Sequence, residues 1–258
     1  MSAATTTVAL LGTSRAPRWR RDLRALSRAL LRKPSRAAGL VILVGFVVMG
    51  IVGPMLYPAR LPIDPENIFA GPSRQHWLGT DFAGTDVLAL LITGTRFVLL
   101  SAVIAALLHI VIGSAVGLIS GYLLGSVDTV AMRITDFILT VPSLPLMVVL
   151  GSAWHFSSAI AIGTLLGVLG WGGIARAVRS QVLSLRTRGF IEAARNLGLP
   201  VRHIVTRQLL PNIAPFVGMN LLVSFTGAVY SQVGLFFLGV LPFNSNNWGV
   251  MLNQAVKN

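Results

Sequence analysis

Side chains able to do bond chemistry are sparse in this sequence, and none stands in a catalytic pattern. The four histidines and eight acids form no His-Glu-x-x-His helix, no serine sits in Gly-x-Ser-x-Gly, and His109 and His155 have no nucleophile beside them. There is no cysteine, hence no thiolate and no disulfide framework. A Gly-x4-Gly-Lys-Ser/Thr phosphate loop is missing too, because the only lysines are Lys33 and Lys257. No catalytic or metal-ligating residue is assigned, and the chain is expected not to be an enzyme. Its most informative segment, residues 176–211, carries helix signals rather than bond chemistry. Phe190, Ala193, Ala194 and Leu197 recur at i, i+3, i+4 and i+7, which is one face of a helix. Gly198 stands where a left-handed residue closes a helix, and Pro200 prevents its continuation. Val201, Ile204 and Val205 begin a second short apolar face, which Pro211 can end. Glu192 places a negative charge mid-helix, next to Arg195. By pattern alone, docking in another protein's groove and lying on a membrane surface explain this helix equally well.

The elements that must hold this segment are set by composition. The chain of 258 residues is 54% apolar and 11% charged, with a mean hydropathy of +0.75, too few charges to cover a soluble surface. Uncharged runs cover residues 37–59, 97–127, 137–175 and 208–256. About 20 apolar residues cross a bilayer, so the expected fold is an all-α polytopic membrane protein with five spans. Span one covers 37–57. Spans two to five lie within 97–252 and start near 97, 134, 157 and 211. Pro142 and Pro145 should break or kink span three. Span four should continue through Arg176 as one rigid element, after a tight turn at His155 to Ser157.

Charge sets the orientation. The formal net charge is +13, with nine of the 21 basic residues in 15–36 and seven in 176–207. Lys and Arg clustered beside spans mark the cytoplasmic side, which puts residues 1–36 and the loop 180–210 inside. Residues 58–96 and the tail 253–258 then fall outside. The same clustering explains the charge better than nucleic-acid binding does. Trp19, Leu23, Leu26 and Leu30 recur at helical spacing among arginines, as in a helix lying on an anionic leaflet; this fits better than an organelle transit sequence.

Within the spans, Gly113, Gly117, Gly121 and Gly125 recur at every fourth position, a stripe that lets another helix approach closely. His109, Asn220, Ser224 and Gln232 are polar groups at membrane depth and so candidates for a solute path. For His109 a neutral ring bonded to a neighbouring helix is the more common role. Asp136 is expected at a helix end or paired with Arg133.

Glu192-Ala193-Ala194, three residues, Gly198, then Leu210-Pro211 resembles the E-A-A-x3-G-x9-I-x-L-P coupling motif of ABC-importer permeases. Gln208 replaces the isoleucine, with Leu209 beside it. Trp171, Arg176, Arg179 and Leu183 resemble the lead-in of the dipeptide/oligopeptide branch, and three further blocks agree in order. His76-Trp77-Leu78-Gly79-Thr80-Asp81 with Gly84 and Asp86 precedes span two, Thr85 replacing the usual arginine. Gly121-Tyr122, Asp128, Met132-Arg133 and Asp136 follow. Gly234 to Gly239 with Trp248-Gly249 and Met251-Leu252 closes the set.

Across residues 74–252 the resemblance is to the C-type subunit of that permease pair, with the type I ABC-importer permease fold. It implies a second homologous permease, two ATP-binding cassette subunits and an extracytoplasmic substrate-binding protein, in the lipids of a bacterial inner membrane. ATP and magnesium would sit on the cassette subunits, leaving this chain without a cofactor. Glu192, Ala193, Ala194, Arg195, Leu197, Gly198, Leu210 and Pro211 would carry the ATPase coupling. Di- or oligopeptides are the expected solute; nickel or another small solute is the alternative. An ATP-independent carrier fits less well, given the docking loop and the lack of a sequence repeat. Such permeases carry a sixth span after the Trp-Gly-x-Met-Leu block, whereas six residues follow Leu252 here. A shortened chain is therefore expected, rather than a five-span variant.

Overall fold

The computed structural model describes residues 33–57, 61–154, 158–239 and 247–257. The expected surface helix around Trp19 to Leu30, the turn at residues 155–157 and the loop around Asn244 lie outside the described residues. Those residues are helical or irregular, and their only β-type pairing is one bridge between Thr80 and Asp86.

The chain divides into two units between Val47 and Val48. Helix α1 runs over Pro34–Leu56. In the first unit its Val41, Ile42, Leu43 and Val44 side chains are exposed, as suits a helix solvated by hydrocarbon. In the second unit α1 continues to Leu56. There Gly53 lies against Ile92 and Gly50 faces Leu99.

Helix α2, Val87–Leu123, has 37 residues. At 1.5 Å per residue it is about 55 Å long, well beyond the roughly 30 Å of hydrocarbon. It begins at Val87 rather than Phe97 because Asp86 caps it, accepting from Ala89 N at 3.1 Å. Arg96 simply sits within the helix. Leu124 (φ 57°) and Gly125 (φ 62°) end it with two left-handed residues.

Helices α3, Gly125–Thr140, and α4, Ser143–Trp154, meet at 74°. The break falls at Val141, held extended at ψ 123° by the proline that follows. Pro145 lies in the first turn of α4, where no amide donor is needed. Helices α5, Ala159–Gly170, and α6, Gly172–Leu185, meet at 47°. The expected rigid span four is therefore two pieces, hinged at Trp171 between Gly170, Gly172 and Gly173. Glycine is a weak helix former, and kinks gather at such sites.

Helix α7 spans Gly189–Asn196. Helix α8 runs unbroken over Val201–Phe237, so Pro211 does not end a helix as expected. Residues Ile204–Leu209 widen into a π-turn, with Leu210 N bonding Val205 O. This opens room for the Pro211 ring, and Asn212 Nδ2 donates to Gln208 O at 2.6 Å. Helix α9, Trp248–Lys257, takes in the residues expected to be a tail. By length and composition α1, α2 and α8 can each cross a bilayer. Each bent pair counted as one span gives five crossings.

Two cores share α2 as their common wall. One joins Ala102 and Ala105 to Met147, Ile162, Leu166, Leu235, Phe236 and Val250, with Phe97 edge-on to Phe236 at 5.7 Å. The other joins Leu118 and Tyr122 to Ile174, Val178, Val182, Ile191, Ala194, Ile204, Leu209 and Ile213. This second core holds α7 in place.

Candidate functional site

Helix α7 is eight residues long, too short to be stable alone, so its position comes from packing. Ile191 and Ala194 are buried in the second core. Gly198 adopts φ +69°. Its N–H bonds Arg195 O at 2.8 Å, and Leu199 N reaches back to Ala194 O at 3.2 Å, which closes the helix and tucks Leu199 against the same core.

The expected single apolar face is split in two. Phe190, Ala193 and Leu197 are exposed, Leu197 by 78%, while Ala194 is 5% exposed and faces inward with Ile191. Ala194 is thus out of reach of any outside groove. Glu192 and Arg195 are exposed, and the Arg195 guanidinium lies 5.1 Å from the centre of the Tyr122 ring. That cation–π contact ties α7 to the end of α2. Leu210 and Pro211 are exposed and belong to α8.

Behind α7 stands α6, which is braced on two sides. On one side, a Cβ at Gly117 would lie 2.6 Å from Ala175 O, one at Gly113 2.7 Å from Ile174 Cβ, and one at Gly121 2.9 Å from Val182 Cβ. Only glycine permits this approach of α2 to α6. Gly125 stands apart from the other three. It lies beyond the end of α2, where an added Cβ would meet no atom within 4 Å, and its task is the left-handed turn. A second small-residue pair, Gly163 and Gly167, does the same for α5 against Ser101 O and Leu108, at 2.6 Å each.

On the other side, Arg179 donates Nε and Nη2 to the two carboxylate oxygens of Asp128, each at 2.6 Å. Arg176 pairs with Asp136 at 2.5 Å. Asp136 therefore binds Arg176 of α6 and not Arg133, because its side of α3 faces α6. Sequence blocks 40 and 51 residues apart meet here as two struts, and no local spacing signalled that pairing.

The polar candidates within the spans are mostly occupied by the fold. His109 Nε2 bonds Leu166 O at 2.9 Å, its ring lying against Gly170; it joins α2 to α5. Gln232 is fully buried. It donates to Val98 O at 2.7 Å and accepts from the Ser101 hydroxyl, joining α8 to α2. Asn220 donates to Phe216 O at 2.9 Å, within its own helix. Ser224 is half-buried on α8.

At the other end of α2, the His76–Asp86 block folds into a capped loop. Asp86 accepts from His76 Nδ1 at 3.0 Å while capping α2. Asp81 accepts from Ala83 N and Thr85 N at 2.9 and 2.8 Å, and Thr85 is buried in that turn. Gly84, at φ +75°, lies so close to Asp64 O that no side chain fits. Asp64 accepts from Asn67 and from Glu66 N, which holds its carboxyl below the usual range. Trp77, Leu78 and Phe69 remain exposed on this loop.

Residues 113–256 match the family described as binding-protein-dependent transport system inner membrane component. The chain is 34% identical to the dipeptide transport system permease protein DppC of Bacillus subtilis (strain 168) over 235 residues, 89% of this chain and 72% of that protein. It is 31% identical to the oligopeptide transport system permease protein OppC of the same organism, over 84% and 72% of the two chains. For OppC of Haemophilus influenzae the figures are 30%, 88% and 74%. The matched stretch contains the glycine stripe, both struts, α7 and α8, and on these grounds the chain belongs to the family of binding-protein-dependent transport system inner membrane components, as an all-α membrane permease.

Proposed function

We propose that this chain is the C-type permease of an ABC importer that carries di- or oligopeptides across the bacterial inner membrane. The observation that carries the reading is the division of α7. Its Ile191–Ala194 face is built into the second core, and its Phe190–Ala193–Leu197 face is left free for a partner. A short helix rooted in α2, α6 and α8 and apolar on its outer side is a mechanical handle. Peptide transport by DppC- and OppC-named relatives supports the solute class.

In this reading ATP and magnesium sit on two cassette subunits, whose closure moves α7. The struts and the glycine contact pass that movement to α6 and α2, and the hinge at Trp171 lets α5 follow by a different angle. A second homologous permease completes the pore. The N-terminus and α7 face the cytoplasm, and the loop bearing Trp77, Leu78 and Phe69 meets the substrate-binding protein outside. This chain itself breaks no bond.

The test is peptide uptake by the assembled transporter carrying Leu197→Asp. Uptake should fall about ten-fold, as for loss of a central interface anchor, with the subunits still inserted and the fold intact. Unchanged uptake would remove α7 from the coupling route.

A further inference from the structure

The side of α3 that turns away from α6 is apolar, open and bordered by a cation. Asp128 and Asp136 face α6 in the struts, and Thr135 is buried. On the opposite side Val127, Val130, Ile134 and Phe137 are all exposed, Phe137 by 72%. Val127, Val130, Ala131 and Ile134 join Val116 of α2 and Trp171 to line an open groove of about 620 Å³. Ser126 lines it as well, and Arg133 follows Ser126 at i+7 and Val130 at i+3, on the same stripe of the helix.

Arg133 is exposed and has no acidic partner among the described residues, whereas Arg176 and Arg179 both do. Along α3 it lies between Asp128 and Asp136, at the level of the two ion pairs. The Arg176–Asp136 pair is half exposed and the Arg179–Asp128 pair partly so, and charged groups at the end of an apolar span sit where water and lipid headgroups meet. An amphipathic helix at that depth, apolar on one side with a cation at its edge, is the pattern that engages anionic lipid. A second copy of this chain would bring no free acid from the matching face, since its Asp128 and Asp136 are already paired. It would also bury Arg133 uncompensated.

We infer that this groove is a binding site for one anionic phospholipid. An acyl chain lies along Val130, Ile134 and Trp171, and the phosphate lies on Arg133. Bound there, the lipid bears on the helix that carries both struts and so on the brace behind α7.

The test uses the whole transporter in nanodiscs of equal phosphatidylglycerol and phosphatidylcholine. Because this chain has no cysteine, Val130→Cys carrying a benzophenone maleimide reports on the groove from a single position. The expected photo-adducts are phospholipids, with phosphatidylglycerol enriched about five-fold, the fold-change that one Lys or Arg near an anionic headgroup supplies. Adding Arg133→Gln should bring the ratio to parity, and Arg133→Lys should keep it. Adducts on another protein subunit, or parity with Arg133 present, would overturn the inference. The second result stands even if Arg133→Gln fails to fold.

Discussion

Arg179 on α6 grips Asp128 on α3 through two parallel hydrogen bonds of 2.6 Å each. The guanidinium fork matches both carboxylate oxygens, the stronger geometry for an ion pair. The pair is only partly exposed, so solvent screens it less than a surface pair. Asp128→Ala should destabilise the α3–α6 contact by about 2 kcal/mol, the scale of hydrogen bonds to charged groups. In a thermal-denaturation double-mutant cycle with Arg179→Ala, the double variant should lose less than the sum of the single losses. Strict additivity would mean that the pair does not couple the helices.

The glycine stripe gives a graded test. Gly117→Ala places a Cβ 2.6 Å from a backbone carbonyl that has no room to move, and should lower the melting temperature of the assembled transporter clearly. Gly173→Ala meets nothing within 4 Å on an exposed side of α6 and should be neutral, or stabilising by up to about 1 kcal/mol. Gly125→Ala meets open space but a left-handed backbone, and should cost about 1–2 kcal/mol. Differential scanning fluorimetry on the three variants checks this order.

Gln232 should behave as a structural staple rather than a solute ligand. Gln232→Leu removes the amide that donates to Val98 O and accepts from the Ser101 hydroxyl. Thermal stability should fall, by about 1–3 kcal/mol, while the ranking of peptides by uptake rate stays the same. An altered ranking at unchanged stability would return Gln232 to the solute path.

His109 predicts the same split between fold and path. Its ring occupies the space beside Gly170 and bonds Leu166 O. His109→Ala should therefore loosen α2 from α5, seen as a lower melting temperature in detergent. Peptide selectivity should not change. A change in selectivity without a change in stability would contradict the structural role.

The sequence makes the helical spans, the bend at Pro142 and the closure at Gly198 legible, because each rests on local chemistry: an uncharged run, a proline, a glycine at positive φ. It also marks Glu192 to Gly198 as the segment to watch. What it hides depends on contacts between distant residues. Spacing alone puts Ala194 and Leu197 on one face, but the core formed by Leu118, Val178 and Ile213 draws Ile191 and Ala194 inward. Proximity in sequence pairs Asp136 with Arg133, whereas the fold brings Arg176 to it. The helix runs through Pro211 because a π-turn absorbs the ring, and α5–α6 bends because glycines flank Trp171. Gln232 and His109 are open candidates in the sequence, and only the fold supplies their partners.

The division of α7 into a rooted face and a free face is central to the proposed coupling route, and cysteine accessibility measures it directly. Leu197→Cys and Ala194→Cys, each the only cysteine in this chain, would be labelled with a maleimide before and after assembly with the ATPase subunits. Ala194→Cys should be slow to label in both states. Leu197→Cys should label fast in the isolated permease and be protected in the assembled transporter, by about ten-fold or more, as expected for a residue buried at a partner interface. Equal labelling of Leu197→Cys in the two states would contradict this division.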